Sequence, residues 1–360
     1  MTAFEIRPFR QPLKIPYRWS KGVHHSRAGL ILRLDLGNGI VGWGEAAPPP
    51  HEHVDLPAYV EECARLVHGL DPERDDFLAR LSEREPYGRL RCGVSTAWLS
   101  ARAAASGMNL SRYVGGADRT IATKVPINEL ITDATPEACV ESTRAAIARG
   151  QTTVKVKCSA ERDLDLARVG AIRAAFPDIP IRIDPNEAYP VDWAAEQLRA
   201  MAEFNIEYCE EPLHRGSGLE AYRKLRQEQP VPIALDDSLR SPEHLEDIIA
   251  HNATDFLILK AQRVGGADIA MGIIDRAAEA GITCTITASL ETSVGLHLAV
   301  HVAALAGDPT PSGMGTARYY AEDTAPPPPI VDGFMHVPAT PGLGVAPLDW
   351  WEANAPVPAE

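Results

Sequence analysis

The 360-residue sequence has no excess of basic charge: 35 Lys and Arg stand against 49 Asp and Glu, a formal net charge of -14. Such a surface repels phosphate backbones and anionic lipid, which argues against nucleic acid and membrane partners. Met1 to Leu13 lacks the basic stretch and apolar core of a secretory signal. No apolar run reaches the roughly 18 residues that span a bilayer. The longest, Val294 to Gly307, is interrupted by His297 and His301. A soluble, cytoplasmic protein is the expectation. The six cysteines (Cys63, Cys92, Cys139, Cys158, Cys209 and Cys284) form no CxxC pair, which argues against a thiolate metal site and leaves free, mostly buried thiols. Beyond the structural period described below, there is no tandem repeat.

What is present suits a folded chain. Hydrophobic residues make up 45% and charged residues 23% of the sequence, near the values for globular proteins. At roughly 150 residues per domain, the length predicts two domains, or one large barrel with an appendage. From Phe4 to about Pro50 the pattern is strand-like: Leu30 to Leu36 alternates, Gly37-Asn38-Gly39 supplies a hairpin turn, and Ile40 to Glu45 returns. Helical texture follows from about Leu56 to Gly116, including the alanine-rich Val94 to Ser106. Residues 1–120 therefore read as a small α+β domain.

After Arg119, short apolar runs alternate with amphipathic helices. The runs are Thr123–Ile127, Thr153–Lys157, Ile181–Asp184, Ile206–Glu210, Pro232–Asp236, Phe256–Lys260 and Thr283–Thr287. Seven βα units imply a parallel sheet with right-handed crossovers, and that number closes into a barrel more readily than it forms an open sheet. The expected fold class is α/β, a (β/α)7β modified TIM barrel over residues 121–324 with an N-terminal α+β capping domain. The proline-rich segment 325–360 is expected to return to the capping domain.

The residues that end these strands carry the chemistry. Lys157, Asp184, Glu210, Asp236 and Lys260 follow one another at separations of 27, 26, 26 and 24 residues, one per βα unit. Strand C-termini face the active site of a barrel, so five ionisable groups converge on one mouth. Any one of them alone would read as an ordinary charge in a βα loop; the near-constant period and the order base, acid, acid, acid, base argue for a site. Counting Thr123–Ile127 as strand one, the lysines end strands two and six, with the acids between them. Three carboxylates without histidine or cysteine make a hard oxygen site for Mg²⁺, with Mn²⁺ able to substitute. A carboxylate substrate on that cation would have its α-proton acidified through an enediolate, and a lysine on either face could take or return the proton. Lys155 shares a strand face with Lys157 because side chains alternate with period two.

These residues resemble the enolase superfamily in its muconate lactonizing (mandelate racemase/muconate lactonizing enzyme) subgroup. The motifs are Lys155-Val-Lys157, Asp184-Pro-Asn186, Cys209-Glu210-Glu211-Pro212, Asp236-Asp237-Ser238 and Lys260-Ala-Gln-Arg263-Val-Gly265-Gly266. Gly42 to Glu45, Val125 to Asn128, Leu290 to Gly295 and Pro341 to Gly344 extend the resemblance almost end to end. It implies the same capped barrel, with Asp184, Glu210 and Asp236 as Mg²⁺ ligands and Lys157 and Lys260 as the acid/base pair. Asn128, Asn186, Asp237, Ser289 and Glu291 join Lys155 as substrate or support candidates; Asp237 departs from the glutamate usual at its place. Glu291 reads equally as a group that hydrogen-bonds a loop.

Members of the subgroup include o-succinylbenzoate synthases, N-succinylamino acid racemases, muconate cycloisomerases and dipeptide epimerases. Dipeptide epimerases usually carry an Asp-x-Asp beyond the last strand for the substrate amine, where this chain has Gly313-Met314-Gly315. Asn128, Glu211-Pro212 and Gly315 to Arg318 look most like o-succinylbenzoate synthases. The resemblance thus implies a lyase of menaquinone biosynthesis, in which the residue matching Lys157 removes the α-proton and protonates the departing hydroxyl, while that matching Lys260 stays cationic. Racemase and cycloisomerase activity are the alternatives, a dipeptide epimerase ranks below them, and a non-catalytic carboxylate-binding protein is the non-enzyme reading. The partner is a small carboxylate, and homo-oligomers are expected because large barrels commonly associate. Lys21 to Arg27 resembles a mobile capping loop. His51-Glu52-His53 reads as a plain loop without a third ligand, and Gly265-Gly266 as a βα turn in preference to a phosphate cradle.

Overall fold

The computed structural model describes residues 3–19, 22–159 and 161–354. Strands β1 (Ala3–Trp19) and β2 (Gly22–Asp35) form a long antiparallel hairpin whose register shifts between Pro12 and Tyr17. β3 (Val41–Ala46) returns beside β2, through a turn in which Gly37, Asn38 and Gly39 take φ of 81°, 54° and 77°. The segment read as a capping loop therefore lies, from Gly22 onward, in strand β2, because backbone pairing with β1 continues to the Trp19 to Gly22 rung. Lys21 lies outside the described residues.

Helix Gly88–Ala105 packs across this sheet, starting six residues before the alanine-rich stretch that announced it. Two glycines on β3 set the distance. A Cβ on Gly44 would lie 2.1 Å from the Gly93 carbonyl oxygen, and one on Gly42 2.0 Å from that of Ala97. Leu30, Ile31, Leu32 and Leu34 of β2 and Val94, Ala97 and Trp98 of the helix are buried together.

Two further strands follow the helices: β4 (Lys124–Pro126) and β5 (Glu129–Ile131). A parallel sheet then runs in the order β5, β6 (Val154–Lys157), β7 (Ile181–Asp184), β8 (Ile206–Glu210), β9 (Ile233–Leu235), β10 (Phe256–Leu259) and β11 (Thr283–Ile286). Its edges are joined by Ser312 and Gly313, which bridge in parallel to Ile127 and Thr287 respectively. This closes the barrel and corrects the first strand. Lys124–Pro126 pairs antiparallel with β13 (Phe334–His336), which β12 (Ile330–Val331) precedes, so strand one of the barrel is Glu129–Ile131.

Period-two alternation sends Val154 and Val156 toward the helices and Lys155 and Lys157 toward the axis. Deeper in the barrel Tyr208, Ala234 and Ile258 pack together, and the fully buried Arg182 guanidinium lies 4.7 Å from the Tyr208 ring centroid. The chain end packs on the first sheet: Trp351 meets Trp43 edge-on at 5.1 Å, and the Arg7 guanidinium lies 3.9 Å from the Trp351 ring. All six cysteines are unpaired, four of them buried. Among the described residues, no helix is long and apolar enough to cross a membrane.

Candidate active site

The ends of the barrel strands open into a cavity of about 680 Å³, walled on the far side by residues of the N-terminal region. Lys155 Nζ lies 2.8 Å from Asp184 Oδ2 and 2.7 Å from Glu210 Oε2. Lys157 Nζ donates to the same Asp184 oxygen at 2.5 Å and to Asn186 Oδ1 at 2.7 Å. Across the mouth, Lys260 Nζ pairs with Asp236, whose other oxygen accepts from Arg263 Nη1 at 2.7 Å. Arg263 Nη2 also reaches Asp237 at 2.8 Å. The five strand-end residues thus fall into two ion-paired groups at one mouth, Lys157, Asp184 and Glu210 joined through Lys155, and Lys260 with Asp236 and Arg263.

The carboxylates are almost wholly buried, with exposures of 0% for Asp184, 2% for Glu210 and 6% for Asp236. Burial resists the ionisation of Asp184, but Lys155 and Lys157 outweigh it and hold the carboxyl well below the usual range. Asp236 behaves likewise under Arg263 and Lys260. Glu210 goes the other way: burial and the Asp184 charge push it up to about 7, and Lys155 only partly compensates. Burial disfavours the Lys155 charge, yet Asp184 and Glu210 raise its pKa well above the lysine value. Asp184 is paired with both Lys155 and Lys157, whereas among the described residues Glu210 has only the shared Lys155, so the shortage of positive charge falls at Glu210.

That shortage, together with an all-oxygen donor set, fits a divalent cation between Asp184, Glu210 and Asp236. Among the described residues, no three His, Cys, Asp or Glu side chains are already drawn together as a metal cluster, because lysine ammoniums stand between these carboxylates.

Of the remaining sequence-predicted residues, Asn128, Asn186, Asp237 and Ser289 line the cavity. Asn186 Oδ1 orients Lys157, while its own N–H donates to Asp184 Oδ1 at 2.9 Å. Glu291 is buried and accepts the Ser289 N–H, a contact within its own loop. His51 and Glu52 lie at the cavity rim without a third metal ligand among the described residues. Gly265 and Gly266, at φ of 108° and 129°, form a turn pressed on the helix of residues 88–105, where a Cβ on Gly266 would lie 2.3 Å from Ser95 Oγ. No phosphate fits there.

Four further residues were not among the candidate site residues. Glu211 accepts from Tyr222 OH at 3.0 Å, Ser238 Oγ at 2.6 Å and the Asp236 N–H at 2.6 Å, fixing the backbone that presents Asp236. Thr287 and Thr316 line the cavity with hydroxyl oxygens that are buried and, among the described residues, have no hydrogen-bond partner. Thr287 follows Lys260 by 27 residues, so the charge period would have found it had hydroxyls been counted. Tyr17, from β1, reaches the cavity and meets Tyr319 edge-on at 5.5 Å.

Residues 138–350 match the enolase C-terminal domain-like family model. The chain belongs to that family. Within it, the chain is 28% identical over 359 residues to the o-succinylbenzoate synthase of Geobacillus stearothermophilus, covering 94% of this chain and 91% of the relative. It is 29% identical over 372 residues to the N-succinylamino acid racemase of Thermus thermophilus, covering 96% and 94%. The crystal structure of a dipeptide epimerase from Enterococcus faecalis, complexed with Mg and the dipeptide L-Leu-L-Tyr, superposes with a TM-score of 0.86 at 22% identity, covering 95% of this chain and 98% of that one. The enolase-superfamily fold, a barrel with a strand-rich capping region, and membership of an enzyme superfamily of lyases and isomerases are thereby established for this chain.

Proposed function

We propose that the protein is a Mg²⁺-dependent o-succinylbenzoate synthase, removing the α-proton of a carboxylate substrate and eliminating water. The observation that carries this reading is the pair of lysines, each held by one of three buried strand-end carboxylates, facing a cavity that offers no acid to a substrate amine at Gly313 and Gly315. Asp184, Glu210 and Asp236 would hold the cation, which when bound neutralises the substrate carboxylate and makes the adjacent C–H acidic. The neutral amine of Lys157, oriented by Asn186, takes the α-proton; as the C–O bond on the neighbouring carbon breaks, its ammonium returns a proton to the leaving hydroxyl, releasing water. Lys260 remains an ammonium and faces the charge that develops on the carboxylate.

A second reading, racemisation of an N-succinylamino acid, is favoured by the symmetry of the site: each lysine is held by a carboxylate of the cluster. The two are separated by a substrate panel with Mg²⁺. The hydroxycyclohexadiene precursor of o-succinylbenzoate is expected to turn over fastest, ahead of N-succinylamino acids, muconate and dipeptides. Turnover of N-succinylamino acids alone would overturn the synthase reading.

A further inference from the structure

Among the described residues, five arginines line the cavity, and four are engaged. Arg215 pairs with Glu187, Arg263 with Asp236 and Asp237, and Arg318 with Glu129, while Arg240 donates to the Asp237 carbonyl. Arg89 differs. Among the described residues, its guanidinium has no ion pair and no side-chain hydrogen bond. It is half-buried, in the first turn of the helix Gly88–Ala105, whose N-cap Tyr87 makes no side-chain cap and whose first turn holds no acid. A cation there sits against the positive end of the helix dipole, the reverse of the usual preference. Burial lowers its pKa, with Glu52 opposing and Arg263 adding to the shift. Three separate costs fall on one side chain, and among the described residues only the charge of Glu52, not close enough to make an ion pair, is named against them. An anion in the cavity would offset all three, since both the guanidinium fork and the uncapped helix amides donate to carboxylates.

We propose that Arg89 is a specificity-determining residue that binds a second carboxylate of the substrate, on the cap side of the cavity and away from the carboxylate at the cation site. This rests on the functional reading above in placing the substrate in this cavity, and it narrows the substrate class to dicarboxylates with one acid at each end. A succinyl arm, common to both readings of the reaction, has that form.

The test is titration calorimetry on the full chain with Mg²⁺, comparing N-succinylglycine with its neutral terminal amide. Wild type is expected to prefer the acid by about tenfold or more, as for a charged hydrogen bond. In Arg89→Gln the two ligands should bind within about twofold of each other, whereas Arg240→Gln should keep the preference. Equal binding of acid and amide by wild type, or a preference that survives Arg89→Gln, would overturn the proposal. Arg89→Gln should also melt no lower than wild type, since it removes an unpaired cation from a helix N-terminus; a variant that fails to fold would show that Arg89 is structural and overturn the proposal equally. Binding needs no turnover, so α-proton exchange in D₂O on the same samples tests the chemistry separately: preference without exchange sinks the reaction assignment alone.

Discussion

Lys155 bridges Asp184 and Glu210, at 2.8 and 2.7 Å, tying together carboxylates on adjacent strands. Removing it would leave two buried charges without their shared counter-ion, a loss of roughly 3–5 kcal/mol when a buried pair is broken. Lys155→Met is therefore expected to unfold at clearly lower denaturant than wild type in EDTA. Added Mg²⁺ should restore more stability to the variant than to wild type, because the cation takes the role the ammonium has lost. Unchanged denaturation midpoints in both conditions would show that the network is not coupled to stability.

Lys157→Ala and Lys260→Ala are each expected to lose about 10²–10⁴-fold in turnover, the range for a positioned proton-transfer group. The conservative variants separate the roles. If Lys260 acts only as a cation, Lys260→Arg should recover much of the loss, and α-proton exchange in D₂O should need Lys157 alone. In a racemase Lys260→Arg would stay inactive, since a guanidinium is a poor base, and each lysine variant would exchange the proton of only one enantiomer.

The charged strand ends were legible because each is fixed by local alternation at the end of its own strand, so Lys157, Asp184, Glu210, Asp236 and Lys260 could be read from the period. Strand one was misplaced for a non-local reason. Lys124-Val-Pro and Glu129-Leu-Ile are equally strand-like, and only the hairpin at residues 330–336, some two hundred residues on, decides that the first leaves the barrel. The start of the cap helix was obscured by Gly88 and Gly93, which weaken helical texture, although a φ of 89° favours glycine at the first and a Cβ at the second would lie 2.9 Å from Ala46 Cβ. Arg89 and Tyr17 were invisible as site residues because only docking of the N-terminal region over the barrel carries them to the cavity.

Within the N-terminal region, β3 and the helix Gly88–Ala105 pack with no room to spare. Gly44→Ala would place a methyl 2.1 Å from the Gly93 carbonyl oxygen and 2.9 Å from the Ala97 nitrogen, both backbone atoms of a buried helix. Overpacking of this kind costs about 1–3 kcal/mol or more. At Gly272, within the helix Ala267–Glu279, an added methyl would meet nothing within 4 Å, and Gly272→Ala should add up to about 1 kcal/mol. Urea denaturation of the two variants should move the midpoint in opposite directions with similar slopes.

Acid acts on two buried histidines of one helix. His301, in the helix Ser293–Ala304, is buried with Nε2 at 3.2 Å from the Leu343 carbonyl, while Nδ1 accepts the Ser111 N–H at 3.3 Å. Ser111 Oγ also lies 3.2 Å from Nδ1, and these partners satisfy a neutral ring. Burial accordingly drives its pKa down to about 3, and that of His297 down to about 4. The unfolded chain takes up these protons near pH 6.5 while the folded chain does not, so folded stability is intact above 6.5 and falls as pH drops toward the folded values. Each unit of pH in that window costs about 1.4 kcal/mol per histidine. Denaturation midpoints measured from pH 7 to 5 should therefore decline, and His301→Gln, which does not titrate, should decline about half as steeply if the two histidines dominate. An unchanged slope in that variant would show that His301 is protonated in the folded protein or that other groups set its acid sensitivity.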